Sequence, residues 1–335
     1  MDKRSGQKRV IFLGDVMLGR GVNEVFWEVP PDFIWGTTLD IIKSADYSLI
    51  NLECALTYHE EIWTETMKAF YFKADPDSAI AALREANISC VCLANNHTLD
   101  FQQEGLIDTL RYIDEAGICR AGAGENISEA RSPAFRRVDN IIVGLVAFTD
   151  NEPGFAATED TPGVNFVPVL PNSDYFSPLL SSVVEAKRAA DIVIVSAHWG
   201  PNMRFHPLLA FREAAHMLID AGADIFHGHS AHNFQGIEIY KGKPILYDTG
   251  DFVDDYAIDP TYRNDQSFIF VLNLNGVVME SIDLYPVHLS YAQTNLASEP
   301  EFTEIAERME RLSGELGTKV TRLKDRLSIS VSVNR

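Results

Sequence analysis

The amino-acid sequence predicts an α/β fold, and two observations carry that reading. Short apolar runs alternate with stretches of 3.6-residue periodicity through most of the chain, and two strand pairs follow near its end. Alternation followed by pairing points to mixed sheets with helices on their faces.

The elements follow in order. Residues 8–15 form a short apolar strand that stops at Gly14-Asp15, residues 37–44 a helix, and residues 47–53 a second strand. Residues 76–87 are helical, with apolar side chains at 79, 80, 82 and 83. Residues 88–96 read as a third strand buried on both faces, and residues 103–116 as a helix with apolar positions 106, 107, 110 and 113. A strand at 140–148, a helix at 178–190, a strand at 191–200, a helix at 210–221 and a strand at 224–230 continue the alternation. Lys241-Gly242 predicts one hairpin and Asn275-Gly276 a second, closed by a type I′ turn. Residues 299–316 form an amphipathic helix, followed by a strand at 329–333. The aperiodic stretch 151–174 reads as a long surface loop. No linker or repeat divides the 335 residues, so one domain is expected, with a core at about 8–290 and a helix–strand tail at 299–333.

Charge narrows the partners. The chain carries 28 Lys+Arg against 48 Asp+Glu, a net charge of −20, which excludes a general nucleic-acid or anionic-membrane surface. An anionic substrate stays possible if a local cation holds it. No run approaches the roughly 20 apolar residues of a membrane span. The apolar run behind the basic N-terminus covers only Val10 to Leu13, too short for a signal peptide, so a cytoplasmic location is expected. Cys54, Cys90, Cys92 and Cys119 lack zinc or redox spacing and read as free thiols.

The chemistry gathers where the strands end. Asp15 closes the first, Asn51 and Glu53 the second, Asn95, Asn96 and His97 the third, His198 the fifth, and His227, His229 and His232 the sixth. Taken singly, Asp15 is a turn residue, Asn95-Asn96 a left-handed turn, and each His a hydrogen-bonding side chain. Together they form a mixed oxygen and nitrogen ligand set at the carboxyl ends of the strands, where α/β sheets bind ligands. The absence of Cys from the set favours hard or borderline ions such as Mn, Fe or Zn.

These residues sit in ordered motifs: Gly14-Asp15-Val16-Met17-Leu18-Gly19-Arg20, Asn51-Leu52-Glu53, Ala94-Asn95-Asn96-His97-Thr98-Leu99-Asp100, His198-Trp199-Gly200, Gly228-His229-Ser230-Ala231-His232 and Asp248-Thr249-Gly250-Asp251. In these motifs the chain resembles the CapA/PgsA family of poly-γ-glutamate capsule synthesis proteins, itself similar to the calcineurin-like metallophosphoesterases. The resemblance implies an αββα sandwich with two central mixed sheets. It implies metal binding by Asp15, Glu53, Asn96, His198, His229 and His232, with His97 as the catalytic acid. The His expected two residues after Asp15 is replaced by Met17, so the first metal position loses a ligand and one or two ions are expected.

Arg20 could pair bidentately with phosphate or carboxylate oxygens, or make a surface ion pair instead. Asn95 and Trp199 are candidate substrate contacts, although Trp199 could simply pack. Asp251 follows a strand and could support a histidine from behind. The acidic stretch 251–265 otherwise reads as a solvated loop. The expected function is capsule biosynthesis with a metal-dependent phosphoesterase-type site, an anionic substrate and a polyglutamate synthase as partner. The alternatives are a metal-dependent phosphatase or phosphodiesterase unrelated to capsule, or a non-catalytic member that binds anionic polymer.

Overall fold

Side-chain parity along the strands sorts the core into three apolar layers. The structure is a computed structural model that describes residues 6–331. The basic start of the chain and the last two residues of the expected final strand lie outside the described residues.

The strands that build the site run in this order: β1 (Gln7–Val16), β2 (Tyr47–Leu52), β3 (Cys90–Cys92), β4 (Cys119–Ala121), β5 (Ala134–Val138), β6 (Ile141–Thr149), β7 (Ile192–His198), β8 (Ile225–His229), β9 (Ile237–Tyr240), β10 (Lys243–Leu246), β11 (Asp251–Val253), β12 (Gln266–Asn275), β13 (Val278–Ser290) and β14 (Leu327–Ser330). Besides a short helix at Ile127–Arg131, the helices are α1 (Arg20–Val25), α2 (Leu39–Lys43), α3 (Pro76–Glu85), α4 (Gln102–Glu115), α5 (Ser177–Ala189), α6 (Leu209–Ala221) and α7 (Glu301–Glu315). The third strand is shorter than its sequence suggests, and the strand β5 paired to β6 carries no clear sequence signal.

A ten-stranded sheet holds β14, β13, β12, β1, β2, β3 and β4 in that order, with β11 paired to β1 and two short strands, Gln293–Leu296 and Thr321–Arg322, paired to β13 and β14. Its β1–β2–β3–β4 half is parallel and its β1–β12–β13–β14 half antiparallel. A six-stranded sheet runs β9, β10, β8, β7, β6, β5, parallel in the middle and antiparallel at both edges.

Between the sheets, Val10, Phe12 and Leu49 meet Val143, Leu145, Ile192, Ile194 and Ile225. The alternate residues Ile11, Leu13, Ile50 and Val91 face outward under α3 and α4, through Leu83, Leu106 and Ile113. Val146, Phe148, Val193, Val195 and Phe226 face outward under α5 and α6, through Leu179, Val183, Ala215 and Leu218. The layer order is therefore α, β, β, α. Strands buried on both faces explain the continuous apolar runs, and each such side chain contributes about 1.5–3 kcal/mol. The C-terminal tail joins this core, because Ile305, Met309 and Leu312 of α7 and Leu327 and Ile329 of β14 pack in the inner layer.

Both hairpins form. Lys241 and Gly242 both take positive φ, 52° and 75°, as a type I′ turn requires. In the second, Asn275 pairs with Val278, so the turn is Gly276-Val277 and not Asn275-Gly276. Only Gly276 of that pair has a positive φ, 60°, which corrects the type I′ expectation.

Candidate metal centre

The inner layer changes character along its length. Inward positions start apolar and turn polar at the carboxyl ends of the strands. Asn51 follows Tyr47 and Leu49 on β2, Ser196 and His198 follow Ile192 and Ile194 on β7, and His227 and His229 follow Ile225 on β8. Asp15 reaches the same space because the β1–β2 register shifts between Phe12 and Asp15, and such an irregularity re-aims a side chain. Gly14 makes room behind it. A Cβ there would lie 1.7 Å from the Gly250 carbonyl oxygen, and Asp15 N–H donates to that oxygen at 2.9 Å.

Two groups of possible ligands converge, and Asp15 belongs to both. The first is Asp15, His198 and His229, and the second is Asp15, Glu53, His232 and Asp251, with the ligand atoms of each within 4.8 Å of one another. His229 Nδ1 lies 3.3 Å from Asp15 Oδ1 and 3.1 Å from His198 Nδ1. Two ring nitrogens that close need a proton or a cation between them. Ser196 Oγ sits 3.0 Å from His229 Nε2, so a tautomer with Nε2–H on Ser196 leaves Nδ1 free to accept. His198 Nε2 is 3.8 Å from Glu53 Oε1, and His232 Nδ1 is 2.8 Å from Asp251 Oδ1. The segment after β8 is held in unusual backbone conformations, with φ of 110° at Ser230 and 61° at His232.

The electrostatics are those of a site short of positive charge. Burial pushes the Glu53 carboxyl well up, and the neighbouring Asp15, Asp251 and Asp254 push it further. Burial brings Asp251 up to about 6 against the pull of His232, and raises Asp254 well above the usual carboxylate range. Burial drives the His229 imidazole down to about 4, which keeps it neutral and able to ligate. His232 goes the other way: burial opposes its charge, but Asp251, Glu53 and Asp15 hold it well above the ordinary histidine value. Glu53 Oε1 and Asp251 Oδ2 are buried without a hydrogen-bond partner among the described residues. Bare buried carboxylate oxygens are costly, so the donor set fits a divalent cation. The groups can hold a metal.

The other expected residues divide. His97 stands at the edge of the cluster, with Nε2 3.9 Å from Glu53 Oε1 and Nδ1 2.5 Å from Asp100 Oδ2. With Asn96 and Arg20 it lines a cleft of about 660 Å³ that also takes in Lys68, Phe72 and Tyr256. The Asn96 side-chain oxygen is buried and unpartnered among the described residues. Arg20 is fixed by Asp255, its Nε 3.1 Å from Oδ2. Asn95 is fully occupied inside the fold, donating to Asn51 Oδ1 and the Leu52 carbonyl and accepting from His97 N–H and Thr98. It braces the turn and does not line the cleft. Trp199 lies in the outer layer against Phe148, Phe211 and Phe226, its indole N–H on the Tyr247 carbonyl at 3.0 Å. It packs instead of facing the cleft. The acidic stretch is not the solvated loop expected, since Asp251, Asp254 and Asp265 are buried.

Comparison with known proteins gives the family of the chain. A family model described as "Bacterial capsule synthesis protein PGA_cap" matches residues 9–256, which include every residue of both ligand groups. The chain belongs to the PGA_cap family. It is 33% identical over 95% of its length to a protein of Mycobacterium tuberculosis (strain CDC 1551 / Oshkosh) named "Probable polyglutamine synthesis accessory protein MT0602", of which 94% is covered. It is 35% identical over 83% of its length to "PGA biosynthesis protein CapA" of Bacillus subtilis (strain 168), of which 71% is covered. Among solved structures, a hypothetical protein from Thermus thermophilus aligns with 83% of this chain and 98% of its own, at 16% identity and a TM-score of 0.47.

Two residues beside these ligand groups, Asp100 and Lys68, escape the sequence reading, and a third was read only in a lesser role. Asp100 had a signal, its position three residues after His97. Asp251 was legible only as a supporting residue. Lys68, whose ammonium binds Asp100 Oδ1 at 2.7 Å and also the Asn96 carbonyl, sits in an irregular segment with no motif to mark it.

Proposed function

We propose that this PGA_cap protein serves poly-γ-glutamate capsule synthesis as a metal-dependent hydrolase or transferase acting on an anionic substrate. The observation that supports it most is the pair of buried carboxylate–histidine groups sharing Asp15, set beside a cleft that carries His97 and Arg20. Mn, Fe or Zn suits a donor set of imidazole and carboxylate without thiolate. A cation bound there supplies Lewis-acid polarisation of an oxyanion and a lowered water pKa.

The chain's own residues supply the rest. Burial pushes the His97 imidazole down to about 4, against the pull of Asp100, so the ring is neutral near pH 7. Its Nδ1–H donates to Asp100, and Nε2, turned toward Glu53, accepts a proton before it gives one. Phe72 stacks on this ring with centroids 3.9 Å apart and keeps water from one face. Arg20, held by Asp255, presents its remaining donors to an anionic group at the mouth of the cleft.

Action beside a polyglutamate synthase in the cytoplasm is part of this reading. Among the described residues no helix is long and apolar enough to cross a membrane. The test is metal analysis of the purified protein, followed by phosphoester and glutamyl-polymer turnover with Mn²⁺ for the natural chain and His97→Ala. Bound metal and turnover lost in the variant support the proposal. Absence of both metal and turnover overturns it.

A further inference from the structure

Position 17 raises a question about the second ligand group. The family resemblance expects a histidine there, and Met17 replaces it. Met17 is wholly buried in the outer layer, and its Sδ accepts the Gly19 N–H at 3.1 Å. Its side chain therefore points between sheet and helices.

Asp251 belongs to the second ligand group. β11 pairs with β1 in parallel, and Asp251 is the register partner of Asp15. The close approach of Gly14 to Gly250 brings the two strands together at this point. Asp251 is 0% exposed, Oδ1 accepts from His232 Nδ1, and Oδ2 has no hydrogen-bond partner among the described residues. A carboxylate that served only to orient His232 would have its second oxygen solvated or hydrogen-bonded. Here that oxygen is buried and bare, and so is Glu53 Oε1 in the same group.

We propose that Asp251 is a direct metal ligand of the second group, supplying a carboxylate that position 17 does not, so that each of the two groups that share Asp15 would hold a cation. This rests on the metal-binding reading above and adds the ligand and the number of ions. The consequence is a second site richer in carboxylate than the first. The His198 group offers two imidazoles, whereas the Asp251 group offers three carboxylates and one. The second site should therefore prefer harder cations, Mn²⁺ over Zn²⁺.

The test is titration of the metal-free, full-length protein with Mn²⁺, read by calorimetry and by electron paramagnetic resonance. The natural chain should bind two ions and show a spin-coupled dimanganese signal. Asp251→Asn keeps the size and the acceptor for His232. It should bind one ion, lose the coupled signal and leave the isolated six-line spectrum. Its weaker site should fall by more than the ~10–100-fold that loss of an outer partner costs. Met17→His should not restore the pair in the Asp251→Asn background, and Met17→Leu should leave two ions bound. Two ions retained by Asp251→Asn at similar affinity overturns the proposal while leaving the metal-binding reading intact, as does restoration by Met17→His. No Mn²⁺ binding by the natural chain overturns both.

Discussion

The Asp100 carboxylate lies 2.5 Å from His97 Nδ1, and both groups are buried at the wall of the cleft. Asp100 also accepts the Phe72 N–H at 2.7 Å, so backbone helps to fix its position. The pair fixes which His97 nitrogen carries hydrogen. Asp100→Asn keeps the shape and presents an amide that favours the opposite tautomer. Turnover should fall by at least about 10²-fold, with little change in KM. A pH–rate profile should lose its acidic limb, and an unchanged profile with full turnover would remove His97 from the mechanism.

Lys68 completes this arrangement from the other side. Its side chain is 6% exposed and its ammonium pairs with Asp100, over the Phe155 ring. Lys68→Met would leave a buried carboxylate without its cation, a change that costs about 3–5 kcal/mol. Urea unfolding measures it. The double variant Lys68→Met/Asp100→Asn should recover much of the loss, because the uncompensated charge is gone.

Gly14 predicts a steric failure. In Gly14→Ala the new methyl would sit 1.7 Å from a backbone oxygen, where no side-chain movement relieves it. β1 and β11 must then separate, at a stability cost of about 3 kcal/mol. Mn²⁺ affinity should drop with it, since Asp15 and Asp251 lie on those strands. Normal affinity in the variant would show that the two strands need not touch.

Asp254 predicts a pH dependence in the metal-free protein. Burial pushes its carboxyl well up, and the nearby Asp251 charge adds to the effect. The unfolded chain loses that proton near pH 4. The folded state keeps it to higher pH, so it binds more protons and stability falls as pH rises through that window. Asp254→Asn should flatten the slope there. Denaturant midpoints of both proteins in EDTA decide it, and identical slopes would mean that Asp254 ionises normally in the fold.

Chelation should do more than slow a reaction. With a net charge of −20, the protein repels an anion unless a local cation reverses the sign. Phosphate or glutamate-oligomer binding, followed by calorimetry, should vanish in EDTA and return with Mn²⁺. Affinity unchanged by EDTA would assign the anion to Arg20 alone.

Much of the centre could be read from strand ends. Asp15, Glu53, His198, His229 and His232 were legible because α/β strands deliver ligands at their carboxyl ends, and the structure brings these five together. What failed was parity. Trp199 is adjacent to His198 in sequence but points to the opposite face, because successive strand residues alternate. Met17 lies just past the end of β1 and is buried in the outer layer, although strand alternation would put it on the same face as Asp15, and Asp251 is recruited by a pairing between residues 236 positions apart, which no local pattern announces. The Lys68–Asp100 contact belongs to the same class. The hairpin at Asn275-Gly276 was displaced by one residue because only Gly276 adopts the positive φ.

The shift of the inner layer from apolar to polar has a mechanical consequence. Asp15, Glu53 and Asp251 come from the ten-stranded sheet or its extension, and His198, His229 and His232 from the six-stranded sheet or its extension. Apolar packing is non-directional, and it alone would let the two sheets slide over each other by small amounts. A cation gripping both would act as a rivet through the sandwich. It would fix their relative offset at the one end where the offset matters, and leave the far end to pack as it can.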